Sequence, residues 1–143
     1  MTALDRLLDR IGDPLDASKP RPLVTLEEFF TENTDADSIG HTARTRCSPP
    51  EFFAALKNQL AVDGFSDICV EILPELSPNG WPRAETFWVV SRFDRRAIAS
   101  AMTTEFWDHY MPYDWLSYPR LDGAVLEPLT VPADSHVFGF DYP

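Results

Sequence analysis

Two short apolar runs, at 68–73 and 86–91, constrain the fold of this chain more than any other feature. In the first run, Ile-Cys-Val-Glu-Ile-Leu, aliphatic residues alternate with others, which is typical of a β-strand with one firmly apolar face. The second run, Thr-Phe-Trp-Val-Val-Ser, is apolar on both faces. A strand of that kind belongs in the interior of a sheet. We therefore expect the rest of the chain to cover or extend this pair of strands.

Helix-start signals flank the two strands. Thr25-Leu-Glu-Glu28 and Ser48-Pro-Pro-Glu51 both have the form of a capping box, and Asp94 can cap a third helix. They predict three helices: one from residue 26 to about 31, one that begins after Ser48 and ends at about 62, and one that begins at Asp94 and ends at about 107. A weak strand at 39–43 and a closing strand at 136–141 complete the order strand, helix, strand, strand, helix, strand.

That order predicts an α+β fold: a four-stranded antiparallel sheet with two helices on one face, in ferredoxin-like split βαβ order. In this topology the strand at 86–91 is central. The strand at 68–73 lies at an edge, with Glu71 on its outer face. The rival is a rearranged α+β sheet that lacks the weak strand at 39–43.

The N-terminal segment 1–22 is predicted to be an arm with a connector. Leu4, Leu7, Leu8 and Ile11 fall at helical spacing and form an amphipathic helix, which a Pro-containing connector follows. So short a helix has no core of its own, so we expect it to dock on the main body or on another subunit. Residues 23–143 are then a single α+β domain, in keeping with a chain of 143 residues.

The charge balance limits the classes of partner. Twelve basic residues against 23 acidic ones give a formal net charge of −11, which disfavours nucleic acid and anionic membrane surfaces and attracts a basic protein partner. The other interpretation is that the acidity serves solubility alone. The chain has no apolar window of about 18 residues and no signal-peptide pattern. With two cysteines that are not in a CxxC spacing, we expect a cytoplasmic protein with reduced thiols.

A polar loop invites a calcium interpretation, because Asn33, Asp35 and Asp37 alternate along it. An EF-hand loop needs glycine at its sixth position and glutamate at its twelfth, and Ser38 and Arg44 stand there instead. A turn held by its own side chains is the better interpretation. The candidate polar-loop residues are Asn33, Asp35, Asp37 and His41.

No assembled catalytic or cofactor motif stands in the sequence. His41, His109 and His136 have no zinc-ligand spacing, and there is no nucleophile elbow, P-loop or GxGxxG. Cys47 lies near two arginines, and we interpret it as an ordinary thiol before a helix. We interpret the many carboxylates as a solvated acidic face. We therefore expect no metal and no cofactor, and the sequence favours a protein without enzymatic activity while leaving a small enzyme open as the alternative.

An aromatic and acidic stretch is the least ordinary local feature of the chain. Tyrosine and tryptophan beside carboxylates suit a protein interface, although large rings also serve to hold a long excursion on a sheet. The candidate partner-binding residues are Trp107, Tyr110, Tyr113, Asp114, Trp115 and Tyr118. The leading hypothesis is a non-enzymatic protein-binding domain. The alternative is a small enzyme or small-molecule binder with a pocket between the 108–134 excursion and the sheet. A deep pocket that holds a carboxylate beside His41 or His136 would favour it. Homo-oligomerisation through the arm or a sheet edge is a third hypothesis.

Several sequence pieces resemble a family of small acidic bacterial proteins with no established activity. They are the stretch 26–40, which contains Phe-Phe-Thr-Glu-Asn-Thr-Asp-Ala-Asp-Ser-Ile-Gly, the Trp-Pro-Arg-Ala-Glu-Thr piece at 81–86, and the helix and strand at 52–72. The resemblance covers about 23–141. This chain departs from it at His41-Thr42, where members often have Cys-Asn, and at 139–141, where they have a tryptophan pair before aspartate. The resemblance implies a fold family. Similarity in size and charge to immunity proteins of bacterial toxin systems suggests a toxin-neutralising protein.

Overall fold

The computed structural model describes residues 1–40, 48–102, 113–114 and 131–141 of the chain. In chain order its elements are α1 (Ala3–Ile11), β1 (Leu23–Thr25), α2 (Leu26–Phe30), a 3-10 turn (Ala36–Ser38), α3 (Pro49–Leu60), β2 (Phe65–Leu76), β3 (Pro82–Ser91), α4 (Arg95–Ala101), β4 (Tyr113–Asp114) and β5 (His136–Asp141). No helix within these ranges is long and apolar enough to cross a membrane.

The described strands form one antiparallel sheet in the order β1-β2-β3-β5-β4. Its centre is β3, which pairs with β2 on one side and with β5 on the other. The central register sets Phe87 opposite Val70 on β2 and Phe140 on β5. The predicted α+β class, the antiparallel sheet and the interior position of the 86–91 strand are confirmed.

The ferredoxin-like order is not the order observed. That order requires a strand at 39–43 beside β3, but β5 pairs with β3 along 86–91. Of the predicted strand, Ile39 forms a single parallel bridge to Ala84, the Gly40 N–H donates to the Ala84 carbonyl at 2.8 Å, and 41–43 lie outside the described residues. The closing strand takes this position because Phe138 and Phe140 supply the apolar face that the weak segment lacks.

The prediction that β2 is an edge strand is wrong. β1 covers its outer side, with Leu23 opposite Glu71 and Thr25 opposite Cys69. β1 escaped detection because three residues are too few to show a period of two, and because Thr25, its last residue, is also the N-cap of α2. As a result Glu71 is fully buried within the sheet, where a solvent-facing carboxylate was expected.

One face of the sheet, here called the helix face, packs against the helices. Val70, Phe87 and Phe140 belong to a single core cluster that also contains Phe30 of α2 and Phe52 of α3. All three predicted N-caps are formed: the Thr25 and Ser48 hydroxyls and the Asp94 carboxylate accept N–H groups of the first turns of α2, α3 and α4. α4 ends at Ala101, earlier than predicted, because Met102 has extended backbone angles.

The N-terminal helix α1 docks on α2 of the same chain. Leu7 is buried in the common core cluster. The Ala3 N–H donates to Glu32 Oε2 at 2.8 Å, and Arg10 Nε lies 3.2 Å from Glu28 Oε2. The Thr2 hydroxyl and the Asp5 carboxylate form a complete capping box at the start of α1. Of the two docking sites that the sequence left open, the structure shows the one on the main body.

Candidate functional site

The predicted partner-binding stretch meets the sheet at one point. Tyr113 and Asp114 form β4, the outermost strand, and their backbones pair with Gly139 and Phe138 of β5. The remaining residues of the predicted partner-binding set lie outside the described residues: Trp107, Tyr110, Trp115 and Tyr118. His41 of the predicted polar loop also lies outside them. The interface prediction therefore stays a prediction, with one strand of its segment placed.

The polar loop is a turn held by its own side chains, as the sequence indicated. Asn33 is buried, and its Nδ2 donates to the Phe29 carbonyl at 3.3 Å and to Ser38 Oγ at 3.0 Å. The side-chain oxygen of Asn33 accepts the Asp35 N–H at 2.9 Å, and Asp35 Oδ1 accepts the Asp37 N–H at 3.0 Å. These are Asx turns, in which each side chain shapes the backbone two residues on.

Asp35 also joins this loop to the turn between β2 and β3. Its Oδ2 accepts the Ser77 hydroxyl, and its Oδ1 accepts Asn79 Nδ2 at 3.2 Å. Ser77 Oγ in turn accepts the Trp81 N–H at 3.1 Å. Since both carboxylate oxygens of Asp35 already accept hydrogen bonds, this carboxylate serves the structure. Among the described residues, no group of three or more His, Cys, Asp and Glu side chains is placed to hold a metal ion.

We expect Asp35→Ala to lower the free energy of unfolding by about 2–3 kcal/mol, since it leaves the partly buried Ser77 hydroxyl and two further donors without their acceptor. Urea denaturation measures the loss. The matched control is Thr34→Ala, a neighbouring exposed side chain, which should change stability by less than about 0.5 kcal/mol. Equal effects of the two substitutions would show that the hydrogen bonds of Asp35 do not hold the loop to the hairpin.

The second polar feature lies on the sheet face opposite the helix face, here called the far face. Glu71 of β2 stands directly opposite Thr86 of β3, which stands opposite Asp141 of β5. The Thr86 hydroxyl donates to Asp141 Oδ1 at 2.7 Å. Glu71 and Thr86 are both buried. A row of polar side chains thus crosses three neighbouring strands.

Glu71 has a cation and an indole as partners. Arg21 Nη1, from the connector, lies 3.2 Å from Glu71 Oε2, and Trp88 Nε1 donates to Glu71 Oε1 at 3.4 Å. The side chain of Glu71 is 0% exposed and that of Arg21 is 25% exposed. The connector is held at this position because the Pro22 carbonyl accepts the Ile72 N–H at 2.9 Å. Sequence reasoning missed this pair; the one local signal is Arg21 between two prolines directly before β1.

Two described cavities border the N-terminal segment. A cavity of about 50 Å³ lies between the connector and the end of β2, and an open groove of about 400 Å³ lies between α1 and α2. Asp16, Lys19, Arg21 and Leu73 are among the residues that line the first, and Arg6, Leu7 and Glu27 are among those that line the second. The pocket expected beside the 108–134 excursion lies outside the described residues.

Cys69 cannot act as a nucleophile in this fold. Burial raises the pKa of its thiol far above the ordinary value, and the negative charge of Asp67 raises it further. Cys69 is fully buried on β2, and its Sγ lies 3.9 Å from Asp67 Oδ2. The thiol is therefore protonated at neutral pH and behaves as a small apolar side chain.

In a Cys47→Ser background, we expect iodoacetamide to modify Cys69 of the folded protein only as fast as the protein unfolds. Mass spectrometry over time measures the rate. Modification should become fast in denaturing urea, where the thiol has its ordinary pKa and is exposed. A native rate close to that of a free cysteine would contradict the burial of Cys69.

Comparison with known proteins gives a family without an assigned activity. The family model described as "Uncharacterized protein YfbO family" matches residues 2–139. A protein of Escherichia coli (strain K12), "Uncharacterized protein YfbO", is 26% identical over 130 residues, which is 83% of this chain and 92% of that protein. No solved structure matches. The bacterial family without an established activity that the sequence resembled is thereby confirmed.

Proposed function

This chain belongs to the uncharacterised YfbO family, and we propose that it is a non-enzymatic protein-binding domain for a basic partner. The proposal places it in the cytoplasm, where the thiol of Cys69 stays reduced. The finer form of the proposal is an immunity-type protein that neutralises a toxin. Small size and a net charge of −11 support that form of the proposal. It predicts that a toxin is encoded beside the gene for this protein.

The observation that carries the proposal is the position of β4. Tyr113 and Asp114 lie at the outer rim of the sheet, paired with a strand whose Phe138 is buried in the core. The backbones of Tyr113 and Asp114 are therefore held on the sheet. Aromatic anchors contribute most to binding when their positions are fixed before the partner arrives. The negative charge of the chain adds attraction for a basic protein.

The described groups that might have served catalysis support a non-enzymatic protein. Asp35 holds a loop to a hairpin, Glu71 is ion-paired with Arg21, and the Cys69 thiol is protonated. Each has a structural partner that occupies it. The alternative, a small-molecule pocket beside the 108–134 excursion, concerns residues that lie mostly outside the described part of the chain and stays an expectation from the sequence.

Site-specific photocrosslinking tests the proposal. A photoreactive amino acid replaces Tyr113, and the matched control carries it at Asn58, an exposed position on α3. We expect cells that make the Tyr113 variant to yield a covalent adduct with a basic protein, and we expect about 0.5 M salt to reduce that adduct because exposed charges are then screened. The same adduct at Asn58, or an acidic partner at Tyr113, would contradict the proposal, as would no adduct at Tyr113.

A further inference from the structure

We propose that α1 is an exchangeable arm: the α1 helix of one chain can dock on α2 of a second copy, so that two chains form a dimer by exchanging the same element. The proposal is independent of the basic partner and of the 107–118 stretch. It concerns residues 1–32, all of which lie within the described part of the chain.

The helix itself makes the contacts that dock it on the main body. Leu7 is 2% exposed in the common core cluster. The Ala3 N–H donates to Glu32 Oε2 at 2.8 Å, and Arg10 Nε lies 3.2 Å from Glu28 Oε2. An α1 helix from a second chain brings the same groups, so it can form the same contacts. Exchange therefore retains these interactions, and the connector and the protein concentration decide which form is populated.

The first part of the connector, residues 12–20, is a largely exposed hinge. The N–H groups of Asp16 and Lys19 each donate to the carbonyl three positions earlier at 3.4 Å, which is longer than a usual backbone hydrogen bond. Pro14 and Pro20 favour an extended backbone before them. Opening this hinge therefore sacrifices little, and nine extended residues span about 30 Å, the diameter of a small domain.

A sharp turn at Gly12 closes the hinge. Its backbone angles, φ 76° and ψ −148°, are a combination that essentially only glycine adopts. The turn brings the connector back towards the end of α1, since Lys19 Nζ lies 3.2 Å from the position that a Cβ on Gly12 would take. In an open hinge the chain continues without this reversal. A side chain at position 12 should therefore strain the closed form and favour the exchanged one.

The packing of α1 on α2 favours release of the helix. An open groove of about 400 Å³ lies between them, so this interface is packed less tightly than the core. Terminal elements of this kind open more easily than central strands. The nine residues of α1 are too few for a stable isolated helix, so a released α1 is stable only when it docks again. Its own chain has the advantage below about millimolar protein, the typical effective concentration of a tethered group.

The first test is sedimentation equilibrium of Gly12→Ala. We expect its dimer association constant to be at least about tenfold above that of the unmodified protein, because the substitution strains both closed hinges. The matched control is Gly80→Ala, which changes another glycine of positive φ, 88°, in the turn between β2 and β3. It should associate like the unmodified protein. An unchanged constant in Gly12→Ala, or an equal rise in Gly80→Ala, would overturn the proposal.

Crosslinking identifies the exchanged element with the hinge unmodified. In a Cys47→Ser background, one chain carries Arg10→Cys and a ¹⁵N-labelled chain carries Glu28→Cys, while Cys69 is buried and unreactive. The two are mixed at about millimolar concentration and treated with a short bis-maleimide. We expect mass spectrometry to show a labelled–unlabelled dimer at several times the yield obtained when Asp9→Cys, at an exposed position of α1, replaces Arg10→Cys. Equal yields would mean random collision and would contradict the exchange of α1.

Discussion

Replacing Phe87 with alanine is expected to lower the free energy of unfolding by about 3–5 kcal/mol, the range measured for large-to-small substitutions at buried aromatic positions. Phe87 is 0% exposed and lies on the central strand, and its ring centroid is 5.0 Å from that of Phe52 and 6.5 Å from that of Phe30. Its strand is paired with β2 on one side and with β5 on the other. The structure therefore has little freedom to collapse into the cavity that the substitution leaves.

Phe53 provides the matched control for Phe87. Its ring stacks on Phe30 at 5.2 Å, but it lies on α3 and is only partly buried. Phe53→Ala should therefore lose part of one aromatic contact and leave no closed cavity, at about 1–2 kcal/mol. Urea denaturation of both variants gives the comparison. A loss from Phe87→Ala no larger than that from Phe53→Ala would mean that the sheet is not organised around its third strand.

The parts of the fold that sequence predicts are those whose signals are local. The run that contains Phe87 is apolar on both faces, which indicates an interior strand without reference to any other part of the chain. The caps at Thr25 and Ser48 each depend on a residue three positions away. The Asx turns at Asn33 and Asp35 extend only two positions. All of these predictions are confirmed.

The parts that sequence missed depend on pairings between distant residues. Arg21 and Glu71 are 50 positions apart, and Asp35 and Ser77 are 42 apart. Nothing near Glu71 in the sequence indicates that a three-residue strand covers its side of β2. The prediction of the strand order was wrong for the same reason. Whether β5 or the 39–43 segment pairs with β3 depends on competition between two segments that are far apart in the sequence.

The acidic residues of α2 have partners within the chain, and so does Glu32, two positions after the helix. Glu27 lies 2.7 Å from Lys57 of α3, and the hydrogen bond from that lysine lowers the pKa of the Glu27 carboxyl. Glu28 pairs with Arg10, and Glu32 accepts the Ala3 N–H. These carboxylates join α1 and α3 to α2. Under the proposed function, the attraction of a basic partner would come from acidic residues elsewhere, and the 107–118 stretch contains two of them, Asp108 and Asp114.

Arg21→Met is expected to lower the free energy of unfolding by about 2–4 kcal/mol, somewhat below the usual range for breaking a buried ion pair because Arg21 is a quarter exposed. The substitution keeps most of the apolar stem and leaves the completely buried Glu71 carboxylate without this cation. Glu71→Gln should have a smaller effect of about 1 kcal/mol. It removes the charge and keeps an oxygen for Trp88, while the Arg21 guanidinium turns into water.

The decisive measurement is the double variant Arg21→Met/Glu71→Gln in urea denaturation. If the loss in Arg21→Met comes from an uncompensated buried charge, then neutralising that charge should restore stability, and the double variant should be more stable than Arg21→Met by about 1 kcal/mol or more. Additive losses would instead mean that Arg21 stabilises the protein by packing on the connector.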